Sequence, residues 1–333
     1  MDAYLPVIWA VLIGTGVALY VVLDGFDLGI GILFPFAQSG RDRDHMIGSI
    51  APFWDGNETW LVLGGGGLLA AFPRAYAIIM SALYLPVIVM LLALVFRGVA
   101  FEFRTISRST WGWDTAFTGG SFLAALCQGA ILAGLLQGIK VENGAFAGGA
   151  FDWATPFAAL CALGVAAGYA LLGALWLVIK TEGSLAERSR EQAKVLLLVV
   201  LAFMAAVSVW TPLADARIAQ RWFSTPNIFF LWPVPLATAA VAAFAWRSLE
   251  RGAELPPFLA AIGLFLFGYL GLAISSYPYL VPPVLTIAQA AAPPASQMFL
   301  LIGTLVLLPL VLGYFVLVHW LFRGKLREGE GSY

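Results

Sequence analysis

Nine stretches of this 333-residue chain are apolar over a length that can cross a lipid bilayer, and few folds tolerate that. Inside hydrocarbon every backbone N–H and C=O must find a partner within the protein, so a crossing segment is either a helix or a strand of a closed barrel. A helix needs about 20 apolar residues to traverse about 30 Å, whereas a barrel strand alternates polarity over about 10 residues. The runs here are continuous and long: 5–36, 50–72, 75–99, 116–138, 155–179, 195–214, 227–245, 257–275 and 297–322. With 61% hydrophobic and 11% charged residues, no single soluble core could hide this surface. The sequence predicts an all-α integral membrane protein with nine transmembrane helices.

The Lys and Arg residues orient it, because short cytoplasmic connections carry the positive excess. In the nine-helix arrangement only Arg74, Lys140, Arg217 and Arg221 fall on one side, and the other basic residues, Arg327 among them, fall opposite. The N-terminus is therefore expected outside and the C-terminus in the cytoplasm. The chain opens without a basic segment before its first apolar run, so that run is expected to be retained as a membrane helix. It exceeds a single crossing, and its end should tilt or protrude into water. Short connections leave one transmembrane domain: a first half over 1–138, a second over 139–275, and a cap, last helix and tail over 276–333. Ser184-Leu-Ala-Glu187 has the capping-box pattern and should start the sixth helix. The prolines between 275 and 283, with Pro293-Pro294, forbid continuous helix and predict an ordered, extended outer cap. No fixed-period repeat is present. Charge confined to connections gives no footprint for nucleic acid.

Within this apolar background stand four carboxylates: Asp24 and Asp27 in Leu23-Asp-Gly-Phe-Asp-Leu-Gly29, and Asp55 and Glu58 in Trp54-Asp-Gly-Asn-Glu-Thr-Trp60. An acid at a membrane helix centre costs about 2.5–3.5 kcal/mol, so all four demand compensation. The first helix runs inward and the second outward, which brings the two pairs to one depth near the cytoplasmic side. Each pair has the three-residue spacing of one helix face, and Asp55 and Glu58 also sit where a helix N-terminus favours anions. Three readings are open. The acids pair with Arg97, Arg104 or Asn57 and fix geometry; they line a hydrated proton route; or they hold a hard cation. As a cluster they favour the proton route. Gly25, Gly29 and the run Gly64 to Gly67 read as helix-packing surfaces. The latter lacks the Lys-Ser/Thr of a phosphate loop. Cys127 and Cys161 lie in apolar runs and read as packing residues.

Histidine is scarce. Haem held by two histidines needs them paired on facing helices, and this chain has only His45, in a connection, and His319, near the end of the last helix. Neither reads as a haem ligand.

Five segments together resemble subunit II of the cytochrome bd-type quinol oxidases, in their cyanide-insensitive branch. They are Tyr20-Val-Val-Leu-Asp-Gly-Phe-Asp-Leu-Gly-Ile-Gly31, Ile50-Ala-Pro-Phe-Trp-Asp-Gly-Asn-Glu-Thr-Trp60, Phe96-Arg-Gly-Val-Ala-Phe-Glu-Phe-Arg104, Ser275-Ser-Tyr-Pro278 and Phe322-Arg-Gly-Lys325. The resemblance implies a bacterial inner-membrane complex that oxidises quinol and reduces dioxygen to water, with two haems b and one haem d on subunit I. Subunit II would be its haem-free partner, two four-helix bundles plus one peripheral helix. A structural quinone and a small single-helix accessory subunit are further expectations, alongside membrane lipid.

Carried over residue by residue, Asp55 is implied in a cytoplasmic proton route leading to subunit I, with Asp24 and Asp27 matching the same motif. Some relatives have Gln at the position of Glu58, which implies a hydrogen-bonding role there. Arg97, Glu102 and Arg104 are expected to form a salt-bridge network. Trp54 and Trp60 either face the partner or pack within the chain. The rival reading is a stand-alone proton-coupled transporter with the acids as its coupling site, although no inverted repeat supports it.

Overall fold

The computed structural model describes residues 4–326. In chain order its helices are α1 (Leu5–Leu33), α2 (Gly40–Gly48), α3 (Trp54–Ala71), α4 (Pro73–Ala82), α5 (Tyr84–Ile106), α6 (Trp111–Gln137), α7 (Pro156–Lys180) and α8 (Gly183–Ala214). There follow α9 (Ala216–Phe223), α10 (Asn227–Leu231), α11 (Pro233–Glu250), α12 (Leu255–Ser276), α13 (Ile287–Ala290) and α14 (Pro294–Leu321). Two small antiparallel hairpins interrupt them, β1 (Val141–Glu142) with β2 (Ala145–Phe146), and β3 (Tyr279–Val281) with β4 (Leu285–Thr286). Arg327, one of the basic residues used for orientation, lies outside the described residues, as does the chain beyond it.

Among the described residues eight helical segments are long and apolar enough to cross a membrane, not nine. The exception is the predicted second span. It begins only at Trp54, and Asp55, Asn57 and Glu58 dilute its 18 residues. It nevertheless lies antiparallel along α1: Asn57 reaches Leu23 and Asp27, while the glycines at 64 and 67 abut Val17 and Ile13. Prolines explain the other departures. The predicted third span divides into α4 and α5 because the ring of Pro86 removes an amide donor and crowds the carbonyl four residues back, where α4 ends at Ala82. Pro73 separates α4 from α3 at the boundary expected between the second and third spans. Pro233 likewise separates α10 from α11, and TM-length apolarity runs through both, over 227–250.

The expected capping box at Ser184 does not form. Helix α8 starts at Gly183, whose φ is +63°, and Glu182 stands at the N-cap without a side-chain cap bond. The glycine supplies the left-handed turn that lets α8 fold straight back onto α7. A box does form elsewhere, between Thr286 and Gln289 at α13.

The core is built where α1, α6 and α7 meet. A Cβ on Gly29 would collide with the backbone carbonyl of Tyr169, and one on Gly173 with the backbone of Gly29, so α1 and α7 cross backbone to backbone. The C-terminal third of α1 is therefore not the part that protrudes: residues 24–31 are all buried. Phe26 stacks on Trp176 there, with ring centroids 4.1 Å apart. By contrast α14 is exposed along nearly its whole length and is fastened at its two ends. Near its start Gln297 donates to the Ala71 carbonyl and accepts from the Trp9 indole. Past its end Lys180 donates to the carbonyls of Phe322 and Gly324. The prolines at 278, 282, 283 and 293 form the expected cap from β3, β4 and α13, tied to α6 by Ile139 N donating to Pro282 O at 3.2 Å.

Candidate functional site: a buried carboxylate and guanidinium cluster

Close packing of α1 against its neighbours encloses Asp24 and Asp27 completely; both side chains are 0% exposed. Arg97, from α5, is 1% exposed and donates through Nη1 to Asp24 Oδ1 at 2.7 Å. The same Nη1 is 3.4 Å from Glu58 Oε1, an ion pair without a hydrogen bond. Asn57, also buried, donates through Nδ2 to Asp27 Oδ2 at 2.6 Å and to Leu23 O at 3.2 Å. One guanidinium thus serves Asp24 and Glu58, one carboxamide serves Asp27, and the pairing foreseen for Arg97 and Asn57 is realised.

Several atoms remain buried without a hydrogen-bond partner in the protein: Asp24 Oδ2, Asp27 Oδ1, Asn57 Oδ1, Glu58 Oε1 and Arg97 Nη2. Donors and acceptors converging in this way form the lining that buried water requires. Behind them runs a string absent from the sequence expectations. Tyr169 O–H donates to Gln128 Oε1 at 2.5 Å, and Gln128 Nε2 donates to Tyr20 Oη at 2.8 Å. Tyr20 stands one turn before Asp24 on α1. That spacing was the only trace of the string in the sequence, since Gln128 and Tyr169 come from distant helices.

Three expectations are corrected. Asp55 does not join the cluster: it lies exposed on α3, although one turn from Glu58, whose side chain is 28% exposed. The three-residue spacing rotates it by enough to leave the buried face. Arg104 pairs with none of the four acids. It donates through Nε to Asp114 at 2.6 Å and through Nη1 to Asp44 at 2.8 Å, with Arg43 3.8 Å from Asp114. Glu102 is exposed and enters no ion pair among the described residues, and Arg97 and Arg104 belong to two separate groups of ion pairs, so the single expected network of the three does not form.

Trp54 lies half-buried 5.2 Å from Phe101, and Trp60 is buried at 5.9 Å from Phe315, so the latter packs within the chain. Cys127 and Cys161 are buried free thiols. His319 sits between Phe53 and Phe315, at ring distances of 4.7 and 4.8 Å, with Nδ1 engaged by the Phe315 carbonyl. No cluster of His, Cys, Asp and Glu able to hold a metal ion occurs among the described residues.

The model of the family described as cytochrome bd terminal oxidase subunit II matches residues 5–322. The chain is 30% identical to cytochrome bd-I ubiquinol oxidase subunit 2 of Escherichia coli (strain K12), covering 97% of this chain and 95% of that one. It is 28% identical to cytochrome bd ubiquinol oxidase subunit 2 of Bacillus subtilis (strain 168), with 97% of each covered. Its fold is similar to that in the structure of bd oxidase from Geobacillus thermodenitrificans, with a TM-score of 0.75 over 96% of this chain and 98% of that one at 20% identity. The apolar helices, the motif-bearing α1 and α3, and these matches converge: the chain belongs to the cytochrome bd terminal oxidase subunit II family, as a membrane subunit of a quinol oxidase complex.

Proposed function

We propose that this chain is the haem-free subunit of its oxidase and provides a route for protons from the cytoplasm toward subunit I. One observation carries the reading: Arg97 couples a carboxylate that reaches the surface, Glu58, to one that is wholly enclosed, Asp24. Asp55 and Glu58 receive and pass the proton along the exposed face of α3, which we assign to contact with subunit I. Asp24, Asp27 and Asn57 form the polar wall behind, where water can bridge the unpartnered oxygens. Asp24 and Glu58 share one buried guanidinium and Asp27 has only the Asn57 carboxamide, so a proton is the ready counter-charge for the excess.

The wider arrangement is part of the proposal. Helix α3 would be a ninth crossing, because it runs beside α1 from the level of Asp27 to that of Ile13. The N-terminus would lie outside, the C-terminus in the cytoplasm of a bacterial inner membrane, with bundles α1–α3–α5–α6 and α7–α8–α11–α12 and α14 peripheral. The family implies two haems b and one haem d in the complex, supplying electron transfer and dioxygen reduction. The donors here do not fit an axial pair: His45 is on α2 and His319 on α14, packed between two phenyl rings. The haems are accordingly assigned to subunit I. A structural quinone and a single-helix accessory subunit remain part of the expected assembly. The stand-alone transporter reading has no support from the family match.

Asp55→Asn tests the route. Turnover should fall by roughly 10²-fold, within the range of about 10²–10⁴ for positioned proton-transfer groups, with haem content near normal. Unchanged turnover over a wide pH range would remove Asp55 from the route, and loss of haem would make its role structural.

A further inference from the structure

We propose that the cap end of the bundle, opposite the carboxylate cluster, binds a phosphate group, and that its surroundings favour one carried by a membrane phospholipid. The site lies between α9 and the Ser275-Ser-Tyr-Pro278 corner, a motif that the proton route does not use. A partly open cavity of about 40 Å³ is lined there by Arg217, Arg221, Ser276, Tyr277, Tyr279 and Pro282, among others. A buried water needs about 10–15 Å³ by this measure, so the space holds about three waters, or the oxygens of one phosphate group.

The geometry is built rather than incidental. Asp215 caps α9 by accepting from Arg217 N at 2.9 Å. The four-residue spacing then sets Arg217 and Arg221 on one face. Ile218 is buried beneath, and the Trp222 indole donates to Ser275 Oγ at 2.9 Å, which locks α9 against the end of α12. Tyr279 and Tyr277 stand beneath the two guanidinium carbons, each 5.9 Å away.

Charge decides the ligand class. Asp215 is paired with Arg217 at 2.5 Å. Arg221 enters no ion pair and donates no hydrogen bond to the protein among the described residues, so its planar fork of donors is free. The Arg221 fork matches phosphate oxygens in both charge and geometry, while the neighbouring Arg217 guanidinium is engaged by Asp215 through Nε and Nη2. Leu213, Phe223, Phe229 and Phe230 flank α9 with exposed apolar side chains. Arginine on one face of a short helix amid exposed aromatics is the pattern of a segment lying in a membrane interface, where acyl chains would cover those residues.

The experiment uses the delipidated oxidase complex. Phosphatidylglycerol in mixed micelles, or inorganic phosphate, is titrated against wild type, Arg221→Gln and Arg217→Gln/Arg221→Gln, with thermal unfolding and native mass spectrometry as readouts. Among the described residues Arg221 makes no ion pair and donates no side-chain hydrogen bond, only its contact with the Tyr277 ring, so its variant should keep haem content and basal turnover. The expected result is one retained phospholipid in wild type, bound about tenfold to a hundredfold more weakly by Arg221→Gln, as loss of charge-assisted hydrogen bonds predicts. Stabilisation of wild type but not the variants by inorganic phosphate alone would keep the phosphate site and overturn its lipid source. Equal responses of wild type and both variants to both probes would overturn the proposal.

Discussion

Replacing Arg97 by Gln removes the one cation from a buried site that contains Asp24, Asp27 and Glu58. The loss can be sized from the geometry. Asp24 and Arg97 are 0% and 1% exposed and share a 2.7 Å charged hydrogen bond. Two unit charges about 4 Å apart interact by about 4 kcal/mol at an effective dielectric of about 20. Removing one partner of a buried pair costs about 3–5 kcal/mol, because the other charge stays buried and uncompensated. The 3.4 Å contact to Glu58 adds little, since that side chain is 28% exposed and screened. At roughly 2 °C per kcal/mol for a chain this long, the midpoint should fall by about 6–10 °C.

The assay is thermal unfolding of the detergent-solubilised complex, followed by tryptophan fluorescence, for Arg97→Gln, Asp24→Asn and the double variant. Asp24→Asn should cost less, because Arg97 keeps Glu58. The double variant should be more stable than Arg97→Gln alone, as one stranded charge is gone. A double variant whose loss equals the sum of the two singles would refute the pairing argument.

Gly29→Ala places a methyl against the rigid carbonyl of Tyr169 and should destabilise by about 1–3 kcal/mol in thermal unfolding, whereas Gly65→Ala, with open space around it, should not. Lys180→Met removes the donor to the Phe322 and Gly324 carbonyls, so trypsin should cleave after Arg323 and Lys325 several-fold faster than in wild type. Hydrogen bonds from Arg217 hold the Asp215 carboxyl below the usual carboxylate range. Its contribution at the start of α9 is therefore complete above a pH of about 4 and fades as pH falls through the depressed value. Amide exchange at Arg217 and Ile218 should accelerate only in that acidic window, beyond its intrinsic pH dependence, and Asp215→Asn should abolish the transition.

The acids announced themselves because a carboxylate in an apolar run has no inexpensive explanation. Arg97 was legible as a partner for the same reason. Which face each residue takes was not: Asp55 and Glu58 share a spacing that suits one face, but only tertiary packing decides that Glu58 turns toward Arg97 and Asp55 outward. Glu102 shows the same limit, since its motif neighbours Arg97 and Arg104 are buried while it points away. The Tyr20–Gln128–Tyr169 string left no trace beyond the one-turn spacing of Tyr20 from Asp24, because its members are ordinary single polar residues on three helices. Helix interruptions were more accessible. Pro86 and Pro233 each mark a break that apolarity alone had bridged.

The fastening of α14 also has a meaning in time. Trp9 emerges early in synthesis, yet its indole donates to Gln297, 288 residues later, and the Ala71 carbonyl accepts from both Ala292 and Gln297. A polar group left buried without its partner costs about 1–3 kcal/mol. The first helices inserted into a membrane therefore carry an unfinished end until translation is nearly complete. Arrival of the last helix closes it, so a chain stopped short of residue 297 would be recognisable to quality control as incomplete at its very first helix.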